Sequence, residues 1–382
     1  MYSIYERKIR IMIKFSCEKV LLQNAISVAS RAVAQKSSIP ALEGLLLKAG
    51  NDLTISGYNM QTGIRTKFTA DITQPGEIVL NARLFGDIIR RMPDDAVVFS
   101  ADDRQVVHLS CGDADFDILG LSAADYPELP EVEDDCGLTI KQGLLSKMIE
   151  QTSFAVSTNE SRPIHTGALF EIADQKLTVV AVDGFRMAIR KEPLDKTDGM
   201  AFSFVAPGSA LNEVEKICGD TDDTAGITLG KRHILFEVGD TQLICRRLEG
   251  EFLDYKNAIP RKNPISVIAN TKTLIESIDR VSVVISEKLK SPVRCVFDHD
   301  KVLLSAKTGN GEAKDVCRLE GDGGGLEVGF NNRYLLDALR YVPADAVKIE
   351  LNTGVSPAII VPTEGEENFL YMVLPVRLKA NE

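Results

Sequence analysis

The chain has 382 residues, 44% hydrophobic and 26% charged, with a formal net charge of −11. That balance suits a globular chain with several cores and excludes disorder, and no apolar run approaches the length that spans a bilayer. Seven cysteines without a CxxC pair and four scattered histidines point away from a disulfide framework or a metal site, so no metal or cofactor is expected.

Residues 1–11 form a basic-rich extension with no amphipathic pattern, and Met12 is an alternative start. Leu22, Ile26, Ala29 and Val33 then recur at helical spacing, followed by strand-like Leu45–Lys48 and Leu53–Ser56. Leu84, Phe85, Ile88, Ile89 and Met92 mark a second helix, stopped by Pro93, with strands at Val97–Ser100 and Val106–Ser110. Asp94-Asp95 and Asp102-Asp103 read as the turns. The same order returns with helices on Leu144, Leu145, Met148, Ile149 and on Leu211, Val214, Ile217, and again on Leu274, Ile278, Val281 and on Leu335, Leu336, Leu339.

First helices open at Glu18, Gln142 and Lys272, and second helices at Arg83, Ser209 and Arg333. A period of roughly 125 residues is too long for a solenoid repeat and is the size of a domain. Asp125-Tyr126-Pro127 and Asp254-Tyr255-Lys256 punctuate the junctions, so the divisions are 12–134, 135–263 and 264–382. The expected class is α+β: three tandem, topologically similar domains, each with two helices backing antiparallel sheets.

Although the chain is acidic, its six helical windows together carry a small positive charge. Arg83, Asp87, Arg90 and Arg91 lie as a polar ridge beside one apolar stripe, and Arg333, Asp337 and Arg340 repeat the arrangement. A shared ridge of this kind suits phosphate contact without base reading; Lys36 and Arg162 are further basic candidates, in loops. There is no phosphate loop, GxSxG elbow or GxGxxG between strand and helix, and no converging acid, base or nucleophile, so catalysis is not expected.

Several segments in fixed order carry a family likeness: Met12-Ile13-Lys14-Phe15, Ser38-Ile39-Pro40-Ala41-Leu42, Leu121 to Pro127, Val182-Asp183-Gly184-Phe185-Arg186-Met187-Ala188, Gly250 to Tyr255, Gly329-Phe330-Asn331, and Tyr371 to Leu378. By these the chain resembles, from Met12 onward, the bacterial sliding clamps, the beta subunits of the DNA polymerase III holoenzyme. The resemblance implies a DNA clamp fold and a cytoplasmic, non-catalytic processivity factor. It implies a head-to-tail homodimer that closes a ring around double-stranded DNA and slides without sequence specificity. Lys36, Arg83, Arg90 and Arg162 would then contact DNA, while Phe116 and Ile118 would meet Val283 and Val284 across the dimer interface.

The resemblance also implies a pocket for linear motifs of the replicative polymerase alpha subunit, the clamp loader delta subunit, other DNA polymerases and repair proteins. The matching positions are His165, Val182, Gly184, Phe185, Arg186, Met187, Leu253, Asn257, Ala258, Leu289, Asn331, Tyr334, Val355, Pro357, Val373, Leu374, Pro375, Val376 and Arg377. Read from the residues alone, Asp183-Gly184 is a hairpin turn and Leu374–Leu378 a terminal strand. Phe185 stands where some relatives have histidine, His165 where leucine is common and Leu253 where proline is frequent, so peptide preference is expected to differ. Ala206-Pro207-Gly208 lacks a basic pair found in some clamps, and Lys379–Glu382 extend past the usual Arg-Leu end. The alternative reading is an interaction scaffold built from the same repeats that never surrounds DNA.

Overall fold

A computed structural model describes residues 10–133, 136–194, 201–285, 291–364 and 368–378. The order of elements repeats three times, as strand, helix, three strands, strand, helix, three strands. The first pass is β1 (Ile11–Glu18), α1 (Lys19–Ala29), β2 (Gly44–Ala49), β3 (Leu53–Tyr58), β4 (Thr62–Phe68), an added β5 (Asp71–Gln74), β6 (Gly76–Asn81), α2 (Ala82–Arg91), β7 (Ala96–Asp102), β8 (Val106–Cys111) and β9 (Ala114–Leu119). The second is β10 (Cys136–Lys141), α3 (Gln142–Ser153), β11 (Gly167–Ala173), β12 (Lys176–Val182), β13 (Arg186–Pro193), β14 (Phe202–Pro207), α4 (Gly208–Ile217), β15 (Thr224–Leu229), β16 (His233–Val238) and β17 (Thr241–Arg246). After a short α5 (Tyr255–Ala258) the third runs β18 (Ile265–Asn270), α6 (Thr271–Ser282), β19 (Val293–Phe297), β20 (Lys301–Thr308), β21 (Gly311–Gly321), β22 (Leu326–Phe330), α7 (Asn332–Arg340), β23 (Ala346–Leu351), β24 (Ala358–Pro362) and β25 (Phe369–Val373).

Three of the helices start alike. Asn81, Asn270 and Asn331 precede α2, α6 and α7, and each side chain accepts a hydrogen bond from the backbone N–H three residues on, at 3.0, 3.0 and 3.3 Å. Each cap satisfies one of the donors a helix start leaves open, which explains why the chain turns from strand to helix there.

The chain falls into two compact units that do not coincide with the repeats. One runs to Gly143 and includes Lys216–Arg247; the other holds Leu144–Glu215 and continues from Leu248. Within the first, β5-β1-β7-β8-β9 form one sheet, and β10-β15-β16-β17-β4-β3-β2-β6 form an eight-stranded one in which β17 pairs with β4. Within the second, twelve strands are ordered β14-β11-β12-β13-β25-β24-β23-β18-β21-β20-β19-β22, and β13 pairs with β25. Repeats are thus stitched by main-chain ladders as well as by side chains.

The first unit's core shows why the apolar stripe of α2 faces inward. Phe85 is fully buried and meets Phe99 edge-on at 6.4 Å, and Phe99 stacks on Phe15 at 4.6 Å, so α2 is fixed to β7 and β1. Such pairs favour offset or edge geometry and add to the area they bury.

The Asp102-Asp103 turn is where the sequence marks it: Asp102 ends β7 and is 2% exposed, its carbonyl accepts from Gln105 N and its carboxylate from the N–H groups of Arg104 and Val106, at 2.9 Å each. Three details correct the sequence reading. The segment from Leu374 to Leu378 is no strand; only Val376 bridges, to Gly329. The junctions are anchored, because Tyr126 and Tyr255 are each 6% exposed, the first donating to Ser56 O and the second to the Glu171 carboxylate. Of the N-terminal extension, Arg10 and Ile11 join the fold: β1 begins at Ile11, and Asp103 N donates to Arg10 O at 2.9 Å. Leu289 and residues 379–382 lie outside the described residues.

Candidate functional site

The second unit carries a surface on which most of the expected pocket residues converge. Its centre is the β12–β13 hairpin. Asp183 Oδ1 accepts from Phe185 N at 2.9 Å and Arg186 N at 3.0 Å, and Gly184 takes φ +88°, a left-handed conformation that disfavours a side chain. This turn pushes Phe185 outward, 57% exposed, and drives Arg186 inward to 9%.

The buried guanidinium is paired with two carboxylates. Arg186 Nε donates to Asp183 at 2.9 Å and Nη1 to Asp337 of α7 at 2.6 Å, while its carbon lies 4.6 Å from the Tyr334 ring centre and 5.5 Å from that of Phe154. A buried charge is tolerable only when paired and hydrogen-bonded, and the two carboxylates and two ring faces meet that need. Phe185 stacks on the other participant, Tyr334, with centroids 5.8 Å apart. Phe154 in turn stacks on Tyr341 at 5.1 Å and meets Tyr371 edge-on. The chain beyond β25 is held first to this hairpin and then to β22, since Leu374 N donates to Phe185 O at 2.9 Å and Val376 N to Gly329 O at 2.8 Å.

Beneath the surface lies an apolar floor of Val180, Val182, Met187, Ile189, Ile359, Val361 and Met372, with Tyr255 buried among them and Phe252 and Leu374 packed against it. Val182, Met187 and Val373 are 2%, 1% and 0% exposed, so they support the surface from below. The apolar groups open to solvent are Phe185, Leu253, Val355 and Val376. Val355 belongs to the β23–β24 loop, and Pro357 just after it leads into Ala358, which faces Val373 across the ladder. Pro375 is half-buried and Arg377 exposed.

A second lobe adjoins Phe252, whose ring meets His165 edge-on at 5.5 Å. Arg162, Ile164, His165, Glu251, Phe252, Leu253 and Asp254 line a cavity of about 470 Å³ there. Burial first and the Arg162 guanidinium second hold His165 below the ordinary histidine range, which keeps the ring uncharged near neutrality. Asp254 caps α5 and receives Asn257 Nδ2 at 2.7 Å; Asn257 and Ala258 are exposed on that turn. Under the lobe, burial alone would raise the Glu171 carboxyl, but hydrogen bonds from Tyr255 and Lys256 and the Lys256 charge outweigh it and hold it below the usual range.

Arg83 and Arg90 are exposed on α2, where Asp87 Oδ1 lies 2.6 Å from Arg90 and 3.3 Å from Arg91. They border a cleft of about 800 Å³ between α1 and α2. Lys36 is exposed in the loop after α1. Arg162 sits in the His165 cavity, on a loop rather than a helical ridge. Phe116 is 38% exposed on β9, an edge strand, beside half-buried Ile118; Val283 caps α6 and is 82% exposed, with Val284 next to it. Sequence reasoning did not assign Phe154, Asp183, Phe252 or Asp337 to the pocket. Only Asp183 had a local signal, its place in the hairpin turn; the others are brought in by packing between distant segments.

Family models for the N-terminal, central and C-terminal domains of the DNA polymerase III beta subunit match residues 13–130, 139–254 and 256–377. The beta sliding clamp of Bacillus subtilis is 30% identical over 376 residues, covering 95% of this chain and 99% of its own. That of a Synechocystis species is 31% identical over 394 residues, covering 96% and 99%. The crystal structure of the Bacillus subtilis DNA polymerase sliding clamp superposes with a TM-score of 0.92 at 28% identity, covering 96% of this chain and all of that one. With all three domains matched in order and relatives aligned end to end, the chain belongs to the DNA polymerase III beta subunit family, the beta sliding clamps.

Proposed function

We propose that this chain works as a DNA sliding clamp: two copies close head to tail around duplex DNA in the cytoplasm and tether the replicative polymerase as a non-catalytic processivity factor. The observation that carries this reading is the match of every domain of the chain, in order, to the beta subunit family. Topological linkage needs no strong individual contact, so a weakly basic helical face that includes Arg83 and Arg90, with Lys36 and Arg162 in loops, serves sliding better than a deep basic groove. The Phe185, Leu253, Val355 and Val376 surface is the docking place for short apolar motifs of polymerases, the clamp loader and repair proteins, with Arg186, Asn331, Asn257 and His165 as polar neighbours.

The test is topological. Loaded on nicked circular duplex, the protein should remain bound and should leave when the circle is linearised. Equal retention on both forms would overturn encirclement and favour the scaffold reading.

A further inference from the structure

One edge of the docking surface is a segment with little structure of its own. Residues 249–264 carry Leu253, Asn257 and Ala258, yet their one regular element is the short α5, and among the described residues no main-chain hydrogen bond ties them to another segment. Side chains must hold them. Phe252, Tyr255 and Ile259 rest on the apolar cluster formed by β12, β13, β24 and β25. Apolar contact is non-directional, so it fixes how deep the segment sits and leaves its rotation open. The directional contacts converge on one group, the Glu171 carboxylate. Tyr255 donates its hydroxyl to Oε2, and the next residue, Lys256, brings Nζ to 2.9 Å from Oε1. Glu171 is itself firmly placed within β11, paired with Thr178 of β12 on one side and Ser203 of β14 on the other. Bonds from two adjacent residues to the two oxygens of one anchored carboxylate set both the place and the rotation of the turn.

The fold closes its other junction without such a clamp. Tyr126 is the counterpart of Tyr255 and is equally buried, but its hydroxyl donates to a main-chain oxygen, Ser56 O, at 3.3 Å, and Pro127 follows where Lys256 stands. Gly44 and Gly167 match in the two repeats, each facing the residue that precedes a second helix, Asn81 and Pro207. Counted from them, Lys48 holds the place of Glu171, so the first repeat offers no acceptor there. A tyrosine alone is therefore enough to seat a junction. Of the two junctions, the charged clamp appears at the one whose exposed residues border the docking surface.

We infer that Glu171 is a positioning residue for partner binding: through Tyr255 and Lys256 it presets Leu253, Asn257 and Ala258 for the incoming motif. The inference rests on the docking surface proposed above and adds to it a residue that acts from the sheet. A wall already in place spares the bound state the cost of ordering it.

Calorimetric titration of the full chain with a polymerase-derived peptide tests this. Glu171→Ala should weaken binding about tenfold, because the wall must then be ordered on binding, whereas Glu171→Gln, which keeps an acceptor for Tyr255, should stay within about threefold of the parent. Leu253→Ala should cost the parent about fivefold and the Glu171→Ala chain less than about twofold, while Val355→Ala should cost both chains the same. A merely structural Glu171 would lower the melting temperature and leave both losses unchanged. Should Glu171→Ala fail to fold, Tyr255→Phe, which keeps the burial and removes only the hydroxyl, decides by the same selective loss at Leu253. Parent-like affinity in the variant, or a full Leu253 loss in its background, would overturn the positioning role. A parent chain that does not bind the peptide would instead overturn the docking surface itself.

Discussion

Helices α2 and α7 carry the same pattern from the same cap: Asn81 and Asn331, then Arg83 and Arg333, Asp87 and Asp337, Arg90 and Arg340. Their aspartates have different fates. Asp87 stays within its helix and pairs with Arg90 and Arg91, whereas Asp337 is claimed by Arg186 from a hairpin 151 residues earlier in the chain, and Arg340 turns to Asp279 of α6 at 3.0 Å. One helix keeps a solvated charged ridge. The other has lent its acidic residue to the Arg186 guanidinium under the β12–β13 turn, with Tyr334 in the place of Leu84. Equal spacing therefore gives equal helices but not equal chemistry.

The largest expected effect removes what both helices share, the apolar face. Phe85→Ala should cost about 4 kcal/mol and Leu335→Ala about 3 kcal/mol in urea denaturation, by lost burial and the cavity left behind. Similar losses at both sites would confirm a common packing role, and a loss below about 1 kcal/mol at either would refute it.

The next effect separates the helices. Asp337→Ala leaves a buried guanidinium short of one carboxylate and should destabilise by about 3 kcal/mol, while Asp87→Ala, removing an exposed pair, should stay within about 0.5 kcal/mol. Equal denaturation midpoints for the two variants would erase the distinction. At the level of binding, Tyr334→Ala should weaken a polymerase-derived peptide about tenfold, through loss of the stack with Phe185 and the contact with Arg186. Leu84→Ala should leave that affinity unchanged, and calorimetric titration reads both.

A smaller change is expected on DNA. Replacing Arg83 and Arg90 by alanine should lower the slope of log affinity against log salt by about 2 per subunit, whereas Arg333→Ala and the parent serve as the comparison for α7. The smallest effect leaves both helices alone. His165 titrates below its unfolded value of about 6.5, so its stabilising contribution is complete above that pH and is lost as pH falls beneath it. A urea midpoint that drops slightly from about pH 7.5 to about pH 5.5, and drops less in His165→Gln, is the expected result.

Much of the fold was legible because its signals are local and stated three times. Apolar spacing located Leu22 and Ile26, Phe85 and Ile89, Leu335 and Leu339 on the inner faces of their helices, and each is buried. The candidate site was named only through likeness in the hairpin and tail segments, and four of its apolar residues are solvent-exposed. What could not be read was which side chains form floor and which form rim. Val182 and Phe185 are three residues apart, yet one is 2% and the other 57% exposed, because Val182 ends β12 inside the apolar cluster with Met187 and Met372 whereas Phe185 stands on the turn beyond the strand.

By itself the sequence determined three domains of one topology, helix faces with a charged ridge, and the family that those motifs mark, because periodicity and capping act over a few residues. Only the tertiary structure decided the partners of Asp337, Phe154 and Arg186, since ion pairs and ring contacts depend on which distant segments meet, and spacing along the chain carries no record of that.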